Sequence, residues 1–194
     1  MTAAPLLPQR VEWTVDDLAE LPPDLNYELI NGRLILPSAT PFHQDLCGEV
    51  WMALRVNCPP EYIVSIDQSL KVDRRNEPRP DVVALHVKHL NRSPVPVQDA
   101  IIAVEVISPD SNFRDMVEKA KIYGGATIPT YWVIDPSKDD ISLTEFVLQP
   151  AEGRYAIGRH TLDVFTSETP WPVTVDLPAL SARRAAMLEQ IDPG

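Results

Sequence analysis

The stretch AIIAVEVIS, residues 100–108, constrains the fold more than any other part of the chain. It is almost continuously apolar and β-prone, the pattern of a central strand covered on both faces. Such a strand calls for a sheet with layers on each side. Glu105 breaks the pattern. Side chains alternate across a strand, so Ala103, Glu105 and Ile107 share one face. An ionised carboxylate in that position is costly unless it is paired or bound to a metal.

The flanking sequence supplies the remaining elements. YIVSI (62–66), QSLKV (68–72), PDVVALHV (80–87), TYWVIDP (130–136), ISLTEFVL (141–148), RYAIGRH (154–160) and residues 172–176 read as strands. YELINGRLIL (27–36) predicts a hairpin whose Asn31-Gly32 pair suits a type I′ turn. Thr14, with Asp16 and Asp17, predicts a short helix ending near Leu21. From Pro41 to about Asn57 the period is helical, with His43, Leu46, Cys47, Val50 and Leu54 on one face. A third helix is predicted over Phe113–Tyr123, capped by Asn112 with Asp115 and closed by Gly124-Gly125, and a last one over Ala179–Gln190. The order gives a mixed α/β domain around a central sheet, without the strict alternation of a doubly wound one. Residues 1–13 are expected as a flexible lead and 14–194 as a single domain.

Composition narrows the function. The 194 residues suffice for one core, and no apolar run approaches the roughly 20 residues of a membrane span. Cys47 and Cys58 would lie roughly 16 Å apart on a helix, so no disulfide is expected, and the reading is a reduced, cytoplasmic protein. The net charge of −11 argues against nonspecific binding to nucleic acid. A local basic cluster at Lys71, Arg74, Arg75 and Arg79 is either a solvated loop surface or a nucleic-acid contact. Neither a GxGxxG nor a GxxxxGK[ST] motif occurs, so no nucleotide cofactor is expected.

Asp81 opens the strand that follows Arg79-Pro80. Two acids at the ends of adjacent central strands, Asp81 and Glu105, can converge on a divalent cation, and oxygen donors of this kind suit magnesium or manganese. The position two after Glu105 holds Ile107, where one nuclease pattern has lysine. A positive partner can come from the next helix instead: Asp115, Lys119 and Tyr123 are spaced i, i+4, i+8 along one face. Spacing alone leaves two structural alternatives, a Lys119–Glu105 ion pair and a solvated Lys119–Asp115 pair. His43 on its apolar face reads first as a hydrogen-bonded core histidine, and Glu28 equally as a surface acid or a site residue. Trp51 and Trp132 read as packing aromatics, and Asp135 as the residue ending its strand.

The run YELINGRL, a histidine, RPDVV, AVEVISPDS, then Asp115, Lys119, Tyr123 and YWVIDP resembles the Uma-type family of restriction-like endonucleases. That family belongs to the PD-(D/E)xK nuclease superfamily, and the resemblance covers roughly residues 14 to 148. It implies a restriction endonuclease-like fold and metal-dependent hydrolysis of DNA phosphodiester bonds. Carried over by position, Asp81 and Glu105 would hold Mg2+ or Mn2+, with the backbone carbonyl of Val106 as a third ligand. Lys119 would replace the lysine absent at 107, and Glu28 would complete the site. His43, Asp115 and Tyr123 match family positions as accessory residues. Two other readings stand beside the nuclease: a catalytically inactive module of the same fold that binds DNA or regulates, and a homodimer built on the late strands and C-terminal helix.

Overall fold

The computed structural model describes residues 10–22, 25–108 and 113–191, the last range without the side chains of 113–115. Six strands form the central sheet: β3 (Tyr62–Ile66), β5 (Val82–His86), β7 (Ala100–Val106), β8 (Thr130–Asp135), β9 (Ser142–Gln149) and β10 (Arg154–Thr161). Their order is β10-β9-β8-β7-β5-β3. Only β7 and β8 run parallel; the other neighbours are antiparallel. AIIAVEV therefore lies inside the sheet, as its apolar run requires.

Alternation along β7 divides the core. Ile102, Val104 and Val106 face a layer made by α1 (Pro41–Arg55), α3 (Leu177–Ile191) and the hairpin of β11 (Val164–Ser167) with β12 (Val173–Asp176). Ala103 faces the other layer, with Tyr131, Val133 and α2 (Phe113–Gly125). In α1 the buried residues are His43, Leu46, Cys47, Val50 and Leu54, the face expected from the helical period. Thr40 caps this helix by accepting from the His43 backbone N–H at 3.2 Å, and Pro41 follows where a missing N–H costs nothing.

The hairpin of β1 (Glu28–Ile30) and β2 (Arg33–Ile35) packs beside the sheet. Leu29 pairs with Glu77 through reciprocal backbone hydrogen bonds of 3.1 and 2.8 Å, which fixes the hairpin against the segment leading into β5. Asn31 and Gly32 both have positive φ, 50° and 76°, as a type I′ turn demands.

Several local expectations are revised. The first helix is a single 3-10 turn, Asp17–Glu20, because the Asp17 carboxylate reaches back to the backbone N–H and hydroxyl of Thr14 instead of leaving Thr14 as the cap. Trp13, assigned to the lead, is buried with Leu18, Leu21 and Leu29, and its N–H bonds Gly32 O at 2.8 Å. QSLKV contributes only β4 (Leu70–Lys71), paired in parallel with β6 (Val95–Pro96). Gly124 and Gly125 belong to α2 itself; Thr127, with φ 65°, takes the left-handed position beyond it. The Asn112 cap and the side chain of Asp115 lie outside the described residues.

Gly32 is needed for its backbone. Replacing it with alanine would force a β-carbon into the left-handed region and within 2.9 Å of the Arg75 guanidinium. Arg75 is flexible and can withdraw, so the expected cost is the conformational one, on the order of 1–2 kcal/mol. Thermal unfolding of Gly32→Ala should show a Tm lower by several degrees; an unchanged Tm would mean that the hairpin is not held in this turn.

Candidate active site

The site lies where β5 begins and β7 ends. The antiparallel register pairs Val82 with Val104, so Asp81 stands opposite Glu105 one step further along. Asp81 sits before the strand proper, and its carboxylate bends across to β7: Oδ2 accepts from the Val106 N–H at 2.7 Å. Oδ1 lies 3.2 Å from His43 Nε2 on α1. Strand geometry puts the N–H and C=O of one residue on the same edge, so the Val106 carbonyl faces the Asp81 side as well.

Glu105 points to the opposite layer and is 6% exposed. Its Oε2 accepts from Lys119 Nζ at 2.8 Å and its Oε1 from the Tyr123 hydroxyl at 2.7 Å. Both donors come from α2, four residues apart, so one turn of helix addresses both oxygens. Lys119 Nζ also donates to Glu28 at 3.0 Å, drawing the hairpin into the same cluster. Glu28 is 8% exposed. Together Glu28, Asp81, Glu105, Val106 and Lys119 line a cleft of about 600 Å³, shared with His43, Cys47 and Arg79.

The electrostatics are unbalanced. Three carboxylates face one ammonium. Burial raises the Glu105 carboxyl to about 8, with Lys119 opposing the rise and the nearby Asp81 and Glu28 adding to it. Glu28 is raised for the same first reason. Burial would lower Lys119, but Glu105, Glu28 and Asp81 outweigh it and the net shift is upward, so the lysine stays protonated. Burial holds the Cys47 thiol well above its usual range, reinforced by Asp81 and Glu105, so it is no free nucleophile.

A divalent cation is implied by the donor set. The oxygen donors of Glu28, Asp81, Glu105 and the Val106 carbonyl are hard, they border one cleft, and each carboxylate retains unused lone pairs. The residues fit such an ion.

The other residues singled out in the sequence distribute differently. Arg79 lines the cleft but is held by Asp67, through Nε to Oδ1 at 2.8 Å and a second bond to its backbone O at 2.7 Å. Arg75 bonds Glu12 and the Asn31 carbonyl, both at 3.0 Å, and Arg74 lies 3.7 Å from Asp16. Arg75 stitches the N-terminal segment to the hairpin and Arg74 ties that segment to the loop before β5, while Lys71 is exposed on β4. The basic run thus splits into one cleft residue, two structural pairs and one surface lysine. Cys47 and Asp67 border the cleft without having been singled out as site residues; the i, i+4 spacing of His43 and Cys47 was the available signal for the first.

This chain matches the family described as "Uma2: Putative restriction endonuclease" over residues 15–181. It belongs to that family. No curated protein matches it. Among solved structures it is similar to one described as a "putative nuclease belonging to DUF820" from Anabaena variabilis ATCC 29413, with a TM-score of 0.65 and 14% sequence identity. The similarity covers 87% of this chain and 97% of the other, and it shows a shared nuclease-like fold. No helix among the described residues of this Uma2 family member is long and apolar enough to cross a membrane.

Removing the ammonium tests the charge imbalance. Lys119→Met should destabilise the protein most above about pH 8, where Glu105 ionises and both buried carboxylates need their cation. Without Lys119 their folded-state pKa values rise further above the unfolded ones, so the folded state holds extra protons and stability falls as pH rises through that interval. Denaturant unfolding should therefore show a deficit that is larger at about pH 9 than at pH 7 and shrinks further towards pH 5. A pH-independent deficit would mean that lost packing, not charge, is responsible.

Proposed function

We propose that this protein is a metal-dependent endonuclease that hydrolyses DNA phosphodiester bonds. One observation carries the reading. Lys119 reaches from α2 to bond Glu105 and Glu28, at the cleft that Asp81 also borders. An acid pair with an ammonium beside it supplies two things that favour hydrolysis of a phosphodiester: a cation site and a fixed positive charge. Family membership supports the same reading.

In this proposal Asp81, Glu105 and the Val106 carbonyl hold Mg2+ or Mn2+, and Glu28 completes the donor set. When bound, the cation polarises phosphoryl oxygens and lowers the pKa of water. The protein's own residues supply the rest. Lys119 has three donors, of which two serve Glu105 and Glu28, leaving one for a phosphate oxygen or the attacking water. That charge is preorganised, since two carboxylates and the helix fix it before substrate arrives. Tyr123 holds the second Glu105 oxygen and so keeps that carboxylate from rotating. His43 steadies Asp81 from α1. Arg79, at the cleft wall, is the basic residue of the 71–79 run best placed to meet a phosphate backbone.

Purified protein incubated with supercoiled plasmid and Mg2+ or Mn2+ should nick it. Asp81→Ala and Glu105→Gln should each lower the rate by at least about a hundredfold, the scale expected when a major electrostatic contribution is lost. Equal nicking by wild type and both variants would overturn the assignment.

The same cation should stabilise the fold in a pH-dependent way. Burial raises the Glu105 carboxyl from 4.5 to about 8, so the metal-free folded state holds the extra proton and loses stability as pH rises through that window. A bound divalent cation requires the carboxylate and removes that penalty. The rise in Tm produced by saturating Mg2+ should therefore be larger at pH 8 than at pH 6. An equal or reversed increment would argue against Glu105 as a ligand.

A further inference from the structure

Beside the oxygen-rich cation position, one wall of the cleft offers donors of a different chemistry. His43 and Cys47 are one helical turn apart on the buried face of α1, and Asp81 meets them from the start of β5. One ligand atom from each of the three lies within 4.8 Å of the other two. All three residues border the cleft, so a small ion can reach them from solvent. The His43 side chain is 8% exposed, and its Nε2 already lies 3.2 Å from Asp81 Oδ1, at the point where the three donors meet.

We propose that His43, Cys47 and Asp81 form a second metal site, selective for a thiophilic divalent cation such as Zn2+ and distinct from the magnesium position. Imidazole, thiolate and carboxylate are the ligand types zinc takes, at about 2.0–2.3 Å. Three protein ligands leave a fourth position open towards the cleft, completed by water. Binding replaces the thiol S–H bond with an S–metal bond and releases one proton to solvent. The hydrogen bond between His43 and Asp81 gives way to coordination by both. Magnesium would decline this set, since it prefers oxygen and dehydrates reluctantly.

The binding does not depend on the nuclease reading, but its consequence does. Asp81 belongs to both donor sets, and two divalent ions sharing it repel one another. Zinc on the α1 wall therefore withdraws Asp81 from the magnesium site and blocks cleavage.

Cobalt reports the site directly, because a Co2+–thiolate bond gives a near-ultraviolet charge-transfer band that oxygen and nitrogen ligands do not. Titration of the metal-free full chain with Co2+ should produce that band, saturating at one ion per chain and abolished by equimolar Zn2+. Cys47→Ser should lose the band and bind zinc at least about tenfold more weakly, while Cys58→Ser keeps both. Circular dichroism of the two variants checks that each is folded, and Cys47→Ala replaces Cys47→Ser if that one is not. A band that is absent, or that survives loss of Cys47, overturns the site. If magnesium-supported nicking is observed, micromolar Zn2+ should inhibit wild type and spare Cys47→Ser; equal inhibition of both would overturn the shared-Asp81 coupling. Absence of nicking would count against the nuclease reading while the cobalt spectra still decide the metal site.

Discussion

One buried ammonium holds together side chains from three separate parts of the chain. Lys119 on α2 bonds Glu105 at the end of β7 and Glu28 on the β1–β2 hairpin. Neither acid would be tolerated in its position alone, because burial disfavours the ionised form of each. The pairing is incomplete. Asp81 stands across the strand pair from Glu105, engaged by His43 and a backbone N–H, so carboxylates outnumber the central cation. A protein that needed only stability would do as well with apolar residues of the same volume. Carboxyl groups in excess of the central cation are an arrangement that a divalent cation would relieve, which supports the proposed reading of the cluster as a site.

The surroundings treat positive charge differently. Most of the basic residues before β5 are spent on neighbouring acids: Arg74 on Asp16, Arg75 on Glu12, Arg79 on Asp67. Exposed pairs such as Arg74–Asp16 and Arg75–Glu12 contribute little stability each, but Arg75, which also bonds the Asn31 carbonyl, holds the segment around Trp13 onto the hairpin that carries Glu28. With a net charge of −11, long-range attraction of DNA is weak. Recognition in the proposed enzyme then depends on short-range contacts inside the cleft, such as Arg79, Lys119 and a cation, more than on a basic face.

Much of this was legible in the sequence where local physics is decisive. The apolar run 100–106, the Asn31-Gly32 turn and the apolar face of α1 follow from alternation, from positive φ and from the helical period. Local reading failed where tertiary contacts chose between near-equal options. Asp17 captured Thr14 and tightened a helix into a 3-10 turn, and Gly124-Gly125 stayed helical because the left-handed turn fell at Thr127. β11 went unread because VFTS is short, with only Phe165 fully buried. Of the site, Glu105 declared itself as a carboxylate in an apolar strand, while Lys119 needed the family resemblance to stand out from surface alternatives. Cys47 was placed on the correct face, but which acid that face meets depends on strand order. No periodicity in α1 encodes that.

Placing the lysine on a helix also changes what controls it. A lysine two residues beyond Glu105 would be fixed by the strand itself. Lys119 is instead positioned by how α2 sits on the sheet, and that is set one turn later by Tyr123. Its ring is fully buried and meets Tyr131 edge-on at 5.5 Å, and Tyr131 stacks on Phe146 at 5.6 Å. Tyr155 closes the group, with its hydroxyl on the Ile128 carbonyl at 2.8 Å. The aromatic cluster thus fixes the helix, and the helix fixes the ammonium between its two acids. Tyr123 belongs to both systems, ring in the apolar layer and hydroxyl on Glu105, so packing of the core and geometry of the charges are set by the same side chain.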